Sequence, residues 1–355
     1  MTGHPIKGRG ALDNPDNRFD SHTREAVDDG WGSLGALENP ARELVRDASR
    51  SVIARNDSPD VPFRQSINPY RGCEHGCVYC FARPTHAYLG YSPGLDFETR
   101  LHYKPDAAEL LRRELAAPGY RCAPIALGVN TDAYQPLERQ LGITRSVLEV
   151  LLATRHPLSI ITKGALIERD LDLLRPLAEQ GLVQVMVSLT TLDAPLARRM
   201  EPRAASPARR QQVIRTLSDA GIPVGVLMAP LIPFLNDHEI QPLLAAAREA
   251  GARQAGYVLL RLPHEVHGLF EDWLQAHYPQ RAGRVMQRIR DCRNGRANDS
   301  RFGHRMRGEG VFADLIARRF RQAAQRLGFP GMPALRDDLF EPPAGAATQL
   351  ELFAG

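Results

Sequence analysis

The chain has 355 residues, 43% hydrophobic and 24% charged, with a formal net charge of +4. That balance suits a globular protein long enough to bury its own core, and it excludes a wholly disordered, collagenous or coiled-coil chain. No run approaches the roughly 18 apolar residues of a membrane span. The start, MTGHPIKGRG, lacks a signal core, and three of the five cysteines crowd into eight positions. A cytoplasmic protein with a metal or redox centre and no membrane partner is therefore expected.

Residues 1–60 are polar and rich in Gly, Pro, Asn and Asp, and read as a loosely structured arm. From 61 to 265, short apolar runs alternate with helical patterns. The runs at 66–70, 125–130, 158–162, 183–189, 222–229 and 256–260 are mostly unbroken in hydrophobicity, as in parallel strands covered on both faces. Between them, Thr144 is expected to cap a helix carrying Val147, Leu148, Leu151 and Leu152. Ser206-Pro207 opens another with Val213, Ile214 and Leu217, closed by Gly221, and Asp237 caps a third that ends at Gly251. Strands alternating with helices predict an α/β fold with a parallel sheet, closed or partly closed as a barrel. A basic helical extension over 266–329 and a Pro/Ala/Gly linker over 330–355, ending in a peptide motif, complete the expected organisation.

The sharpest feature is Cys73-Glu-His-Gly-Cys77-Val-Tyr-Cys80, just after the first run, in a loop with Gly72 and Gly76. Thiolate is a soft donor that suits zinc, Cu(I) or an iron–sulfur cluster. A 4Fe–4S cluster normally takes four cysteines, so three would leave one iron open to a small molecule. Structural zinc, with His75 or His86 as fourth ligand, is the alternative. Cys122 and Cys292 stand alone and read as buried apolar residues.

Polar groups recur where the strands end: Asn130-Thr131-Asp132, Thr162-Lys163, Ser188 followed by Thr190 and Thr191, and then Glu201-Pro202-Arg203. By donor and acceptor chemistry, Lys163, Ser188 and Arg203 suit a carboxylate and Asp132 suits an ammonium. Singly, each also has a plain reading as a turn cap, a solvated strand end or a surface ion pair.

The C-x3-C-x2-C spacing, with Tyr79 before the last cysteine, resembles the cluster motif of the radical S-adenosylmethionine (SAM) superfamily. The alternation over about 62–262 resembles that superfamily's partial (βα)6 barrel. The resemblance implies a 4Fe–4S cluster on Cys73, Cys77 and Cys80, with SAM chelating the fourth iron. Reductive cleavage of SAM would yield a 5′-deoxyadenosyl radical that abstracts hydrogen from a substrate. Tyr79, Asn130, Thr131, Asp132, Lys163, Ser188, Glu201 and Arg203 are the implied SAM-site residues, with Tyr79 packing on the adenine. An electron donor such as flavodoxin or ferredoxin is implied as partner.

The order Asn-Thr-Asp, Thr-Lys, Ser-Leu-Thr resembles the spore photoproduct lyase branch, whose namesake reverses a thymine-dimer lesion in DNA. Those lyases carry a hydrogen-donating cysteine immediately before the Thr/Ser-Asp segment. Val129 stands there in this chain, so a lyase-like protein is expected rather than spore photoproduct repair itself.

Residues 281–329 hold 13 Arg, no Lys and four acids, a candidate polyanion surface, although the whole chain uses 42 Arg against 3 Lys. Phe302 among Arg301, Arg305 and Arg307 combines charge with a stacking surface, as single-strand binders do. A helix from about 311 to 327 is expected to bury Val311, Phe312, Leu315, Ile316 and Phe320. At the tail, Gln349, Leu350, Leu352 and Phe353 resemble the peptide by which bacterial DNA polymerases and repair proteins dock on the sliding clamp. DNA or RNA repair or modification is the expected activity. The alternatives are a radical SAM enzyme acting on a protein or small molecule, and a non-catalytic Cys-cluster module that binds nucleic acid.

Overall fold

The computed structural model describes residues 5–21 and 40–343. Six parallel strands run side by side: β1 (Gln65–Ile67), β2 (Ile125–Leu127), β3 (Leu158–Thr162), β4 (Val183–Ser188), β5 (Val224–Leu231) and β6 (Ala255–Leu259). All six coincide with the apolar runs, within a few residues at the ends. They fall where they do because Ile160, Val185, Val224 and Val226, all fully buried, pack into the core of a sheet covered by helices. The strand Ile53–Arg55 adds antiparallel to the outer edge of β1. Among the described residues it does not pair with β6, so the barrel stays open between them.

Helices α1 (Ala107–Leu115), α2 (Ile143–Ala153), α3 (Leu171–Glu179), α4 (Pro207–Asp219) and α5 (Ile240–Glu249) follow the first five strands in turn. The basic extension supplies α6 (Val266–His277), α7 (Pro279–Asp291) and α8 (Val311–Leu327), with α8 packed on α5. No helix among the described residues is long and apolar enough to cross a membrane.

Several local expectations need correction. The arm is not loose where it is described: Glu43–Arg46 pairs in parallel with Arg100–Tyr103, and Ala11 and Leu12 are buried. Backbone pairing and core contacts override its polar composition. Ser206 caps α4, accepting from Arg209 N at 3.3 Å. Thr144 does not cap α2. Gly142 takes the cap with φ 65°, and the Thr144 hydroxyl donates to Ala133 O at 2.6 Å. Asp237 sits in a 3-10 turn before α5 and accepts from Phe234 N at 2.8 Å. On α8, Ile316 and Phe320 are buried, but Val311 is 81% and Leu315 46% exposed, because α5 covers only one stripe of the helix.

The Pro-rich segment after α8 is not a free linker in its described part. Gly331 N, Arg336 N and Glu341 N donate to the carbonyls of Arg253, Gly181 and Thr154, and Phe340 meets His156 edge-on at 5.2 Å. Those acceptors precede β6, β4 and β3, so the segment straps the N-terminal end of the barrel. The clamp-like residues Gln349, Leu350, Leu352 and Phe353 lie outside the described residues.

The open edge is closed by a side chain. Arg293 is 1% exposed and donates to the carbonyls of Leu259, Leu260, His304 and Arg305 at 2.6–3.3 Å. Burial pulls its pKa down to about 10. It holds the 298–308 segment beside β6, where Leu259 N donates to Met306 O at 2.8 Å. Replacing it strands four buried carbonyls. Arg293→Ala is expected to lower the unfolding free energy by about 3 kcal/mol and to open the 298–308 segment to protease. Urea denaturation and limited proteolysis check this; an unchanged midpoint would remove Arg293 from that role.

Candidate active site

In a parallel barrel, functional side chains gather at the C-terminal ends of the strands. Here the loop after β1 carries Cys73, Cys77 and Cys80, and β2, β3 and β4 end on Asn130-Thr131-Asp132, Thr162-Lys163 and Ser188. Cys73 and Cys77 are buried, Cys80 is partly buried, and none is in a disulfide. Cys80 packs against the apolar groups around both other cysteines.

Burial pushes the Cys77 thiol up to about 12 and raises Cys73 and Cys80 as well; Lys163 counters part of this at Cys77 and Cys80. Protonated thiols are favoured in the protein alone, and thiolates become favourable with a metal centre beside them. Three thiols on one loop match in number and type the donors that an iron–sulfur cluster with one free iron would need.

A single zinc ion needs convergence on one point. Among the described residues no three His, Cys, Asp or Glu side chains make such a group. Of the candidate fourth ligands, His75 Nδ1 lies 3.3 Å from Asp132 Oδ2 without a hydrogen bond, and His86 Nε2 lies 2.9 Å from Arg100 O while its Nδ1 has no partner. Burial lowers the His86 pKa to about 4 and keeps it neutral.

The cysteine loop is irregular backbone in the interior, so its polar groups need side-chain partners. Arg83, fully buried, donates to the carbonyls of Gly76, Cys77, Pro93 and Gly94 and to Glu98 Oε1 at 2.5 Å. Glu98 in turn accepts from Gly10 N and Ala11 N. Gly10 approaches so closely that an added Cβ would lie 1.8 Å from Gly76 O. Gly76 itself has φ 66°, a conformation that other residues rarely adopt. Gln135 closes the other flank, donating to Gly72 O and accepting from Glu74 N.

Several expected ligand residues act as joints. Asp132 accepts from Tyr134 N at 2.9 Å, Thr162 Oγ1 at 2.7 Å and Lys163 N at 2.7 Å, besides its contact with His75. Burial raises its pKa, but His75 and these hydrogen bonds bring it down to about 2. Three of its roughly four acceptor sites are used within the protein. Glu201, 2% exposed, accepts from Tyr79 OH, from Thr190 Oγ1 at 2.7 Å and from buried Arg210. Tyr79 is thereby tied to Glu201 through its hydroxyl. Arg203 pairs with buried Glu74 at 3.2 Å, and Thr131 donates to Tyr70 O at 2.7 Å.

Two expected residues, Lys163 and Asn130, keep polar capacity at the mouth, whereas buried Ser188 donates its hydroxyl proton to Ala229 O at 3.2 Å. Lys163 Nζ stands 3.0 Å from Ser188 Oγ and 5.9 Å from the Tyr79 ring centre, with no ion pair among the described residues. Asn130 is positioned by its backbone N–H on Asn68 Oδ1 at 2.9 Å. At the expected nucleic-acid face, Arg301 pairs with Asp299 and Glu309, and Arg305 with Asp60. Phe302 and Arg307 stay exposed there. Val129 lies partly exposed at the mouth, whereas Cys122 precedes β2 at the far end, its thiol pushed up to about 12 by burial and Asp337.

Sequence reasoning missed Arg83, Glu98, Gln135, Arg210 and Arg261. Only Arg210 left a signal: it shares the buried spacing of Val213, Ile214 and Leu217 on α4. Arg261, just past β6, sits 5.4 Å from the ring centre of Phe81, the residue after Cys80, and its buried Nε has no partner.

The chain matches the family described as the radical SAM superfamily over residues 67–247. An uncharacterized protein of Mycobacterium tuberculosis is 40% identical over 232 residues, 65% of this chain and 68% of that protein. One of Methanocaldococcus jannaschii is 28% identical over 201 residues, 57% of this chain and 72% of the other. Spore photoproduct lyase complexed with dinucleoside spore photoproduct superposes with a TM-score of 0.58 at 16% identity, over 81% of this chain and 80% of that one. A variant of that lyase with bound AdoMet and the same dinucleoside gives 0.57 at 16%. At that identity the likeness is one of fold.

Glu201 makes the joint testable by pH. Burial raises its pKa, and Arg210 and Lys163 lower it from 4.5 to about 2. Its contribution is complete above 4.5 and is lost as pH falls toward 2, which amounts to about 3 kcal/mol. Glu201→Gln is expected to be less stable at pH 7 and to lose less stability between pH 5 and 3. Urea denaturation of the metal-free protein across that range checks it, and parallel curves for both proteins would refute the joint.

Proposed function

The chain belongs to the radical SAM superfamily, and on that premise we propose that it modifies or repairs nucleic acid through a 4Fe–4S cluster on Cys73, Cys77 and Cys80. The observation that carries the catalytic part is the set of three thiols, two buried and one partly buried, at the mouth of the barrel beside Lys163 and Ser188. When bound, the cluster and SAM supply a 5′-deoxyadenosyl radical that takes a hydrogen atom from the substrate. Lys163 holds the carboxylate of SAM, steadied by Ser188 Oγ, which accepts from the Lys163 ammonium and donates to Ala229 O, and Asn130 offers an amide to the amino group of SAM. Asp132, Glu201, Tyr79 and Arg203 act one step back: they fix the backbone and loop on which those contacts depend. The catalytic unit is 61–265, with 266–329 as its basic extension, and a small electron-transfer protein such as flavodoxin or ferredoxin reduces the cluster.

Three features favour nucleic acid as substrate: the fold shared with a lyase bound to a dinucleoside lesion, the basic extension, and a mouth bearing exposed Phe81 next to Arg261. Val129 takes the donor position, and among the described residues Cys122 lies at the far end of the barrel. A reaction that needs a donor thiol at Val129 is therefore not the one proposed. The lesion or base differs from spore photoproduct.

In anaerobic assays with reconstituted, reduced enzyme, ultraviolet-irradiated DNA is expected to raise 5′-deoxyadenosine formation above that with intact DNA or none. Cys77→Ala should lose most of its bound iron and all SAM cleavage. Lys163→Ala should keep its iron and bind SAM about tenfold or more weakly. Turnover that no nucleic acid alters would leave the enzyme class and overturn the substrate.

Recruitment by the sliding clamp is part of this reading, through Gln349, Leu350, Leu352 and Phe353. Two apolar side chains filling a pocket and a glutamine at its rim suit such docking. A peptide spanning 344–355 should bind the clamp, and Leu352→Ala/Phe353→Ala should abolish binding; silence at high micromolar peptide removes the clamp from the proposal.

A further inference from the structure

The basic block of 281–329 does not act as one surface. Arg293 is a buried strut, and Arg288, Arg301, Arg305 and Arg319 are each paired with acids. Arg281 and Arg284 are different. Both are exposed, three positions apart on α7, and neither has an ion pair among the described residues.

They flank Phe234, in the loop that leaves the C-terminal end of β5. Its ring is 45% exposed, with the guanidinium carbons of Arg284 and Arg288 at 5.8 and 5.6 Å from its centre. Phe234 has φ 64°, a conformation costly for a bulky side chain and found where the surroundings enforce it. Asp237 enforces it here by accepting from Phe234 N at 2.8 Å. Phe234, His238, Arg281, Arg284 and Val285 line a recess of about 390 Å³, within the size range of small-ligand sites.

An apolar partner helix would have to desolvate two unpaired guanidinium groups, which is costly. A small carboxylate would use the cations and leave the ring idle. A base of a single strand uses both: it stacks on the ring while its flanking phosphates meet the guanidinium groups. A duplex keeps its bases stacked and has no free face to offer. We propose that Phe234, Arg281 and Arg284, with His238 at the rim, bind an unpaired nucleotide of a nucleic-acid strand. The loop carrying Phe234 emerges at the same end of the barrel as Lys163 and Ser188. The site thus engages the strand beside the reacting nucleotide. This rests on the nucleic-acid reading above and names a surface for it distinct from Arg301 and Arg305.

The test uses the cluster-loaded protein, a fluorescein-labelled 12-mer of oligothymidylate, and fluorescence anisotropy over a salt series. Neutralising two phosphate contacts lowers the magnitude of the log–log salt slope by about 1.4 for a single strand. Arg281→Gln/Arg284→Gln should show that change and bind about tenfold or more weakly. Phe234→Ala should bind about fivefold or more weakly with the salt slope unchanged. Arg318→Gln/Arg326→Gln, an equal change of charge at two exposed positions on α8, should stay within about twofold. Iron content equal to wild type in every variant establishes that the fold is kept. If wild type binds and the Arg281/Arg284 variant matches it or the α8 control, the site is overturned while the nucleic-acid reading stands. Equal affinity for a duplex of the same length overturns it too. If wild type binds neither strand nor duplex, the nucleic-acid reading itself fails, and the site with it.

Discussion

The cysteine loop depends on Arg83. A loop of eight residues holding three thiols in the interior has no strand or helix ladder to satisfy its carbonyls, and each unpaired buried group costs about 1–3 kcal/mol. Arg83 meets part of that demand from one side chain, donating to Gly76 O and Cys77 O in the loop, to Pro93 O and Gly94 O beside it, and to Glu98, while backbone N–H groups reach the carbonyls of Cys73, His75 and Cys80. The guanidinium could not be buried without Glu98, and Glu98 would be costly without the backbone N–H groups of Gly10 and Ala11. The N-terminal segment is thus joined to the cluster site through a carboxylate, although it contributes no ligand.

The same logic recurs at two other points around the loop. Asp132 joins the ends of β2 and β3 to His75, and Glu201 joins Arg210 and Thr190 to Tyr79. Each carboxylate is ionised because its donors outweigh the burial that opposes it. The loop is fastened by Arg83 on Glu98 and by Tyr79 on Glu201, with Asp132 in contact with His75 at 3.3 Å. Lys163 is left with capacity to spare because the joints, not it, carry the structural burden.

The two ends of the barrel are treated differently. The mouth carries the thiols, Lys163 and exposed aromatic residues, while the other end is strapped by 331–341 through backbone hydrogen bonds. Arg293 and the 298–308 segment fill the open edge beside β6. This segment limits how far the opening between β6 and the outer strand extends.

The sequence by itself determined the six strands, because apolar runs covered on both faces are a local signal. It also determined the three cysteines, whose short spacing brings them together whatever the surrounding fold. Lys163 and Ser188 were legible as polar residues at strand ends. What only the tertiary structure decided is which polar residues are fasteners and which are free. Asp132 and Glu201 read in one dimension like ligands, yet their partners, His75 and Tyr79, lie 57 and 122 positions away. Arg301 and Arg305 read like a binding face until Asp60, 245 positions from Arg305, neutralises one and Glu309 the other. The charge on a side chain is local information. Whether that charge is spent depends on long-range pairing, which only the folded chain sets.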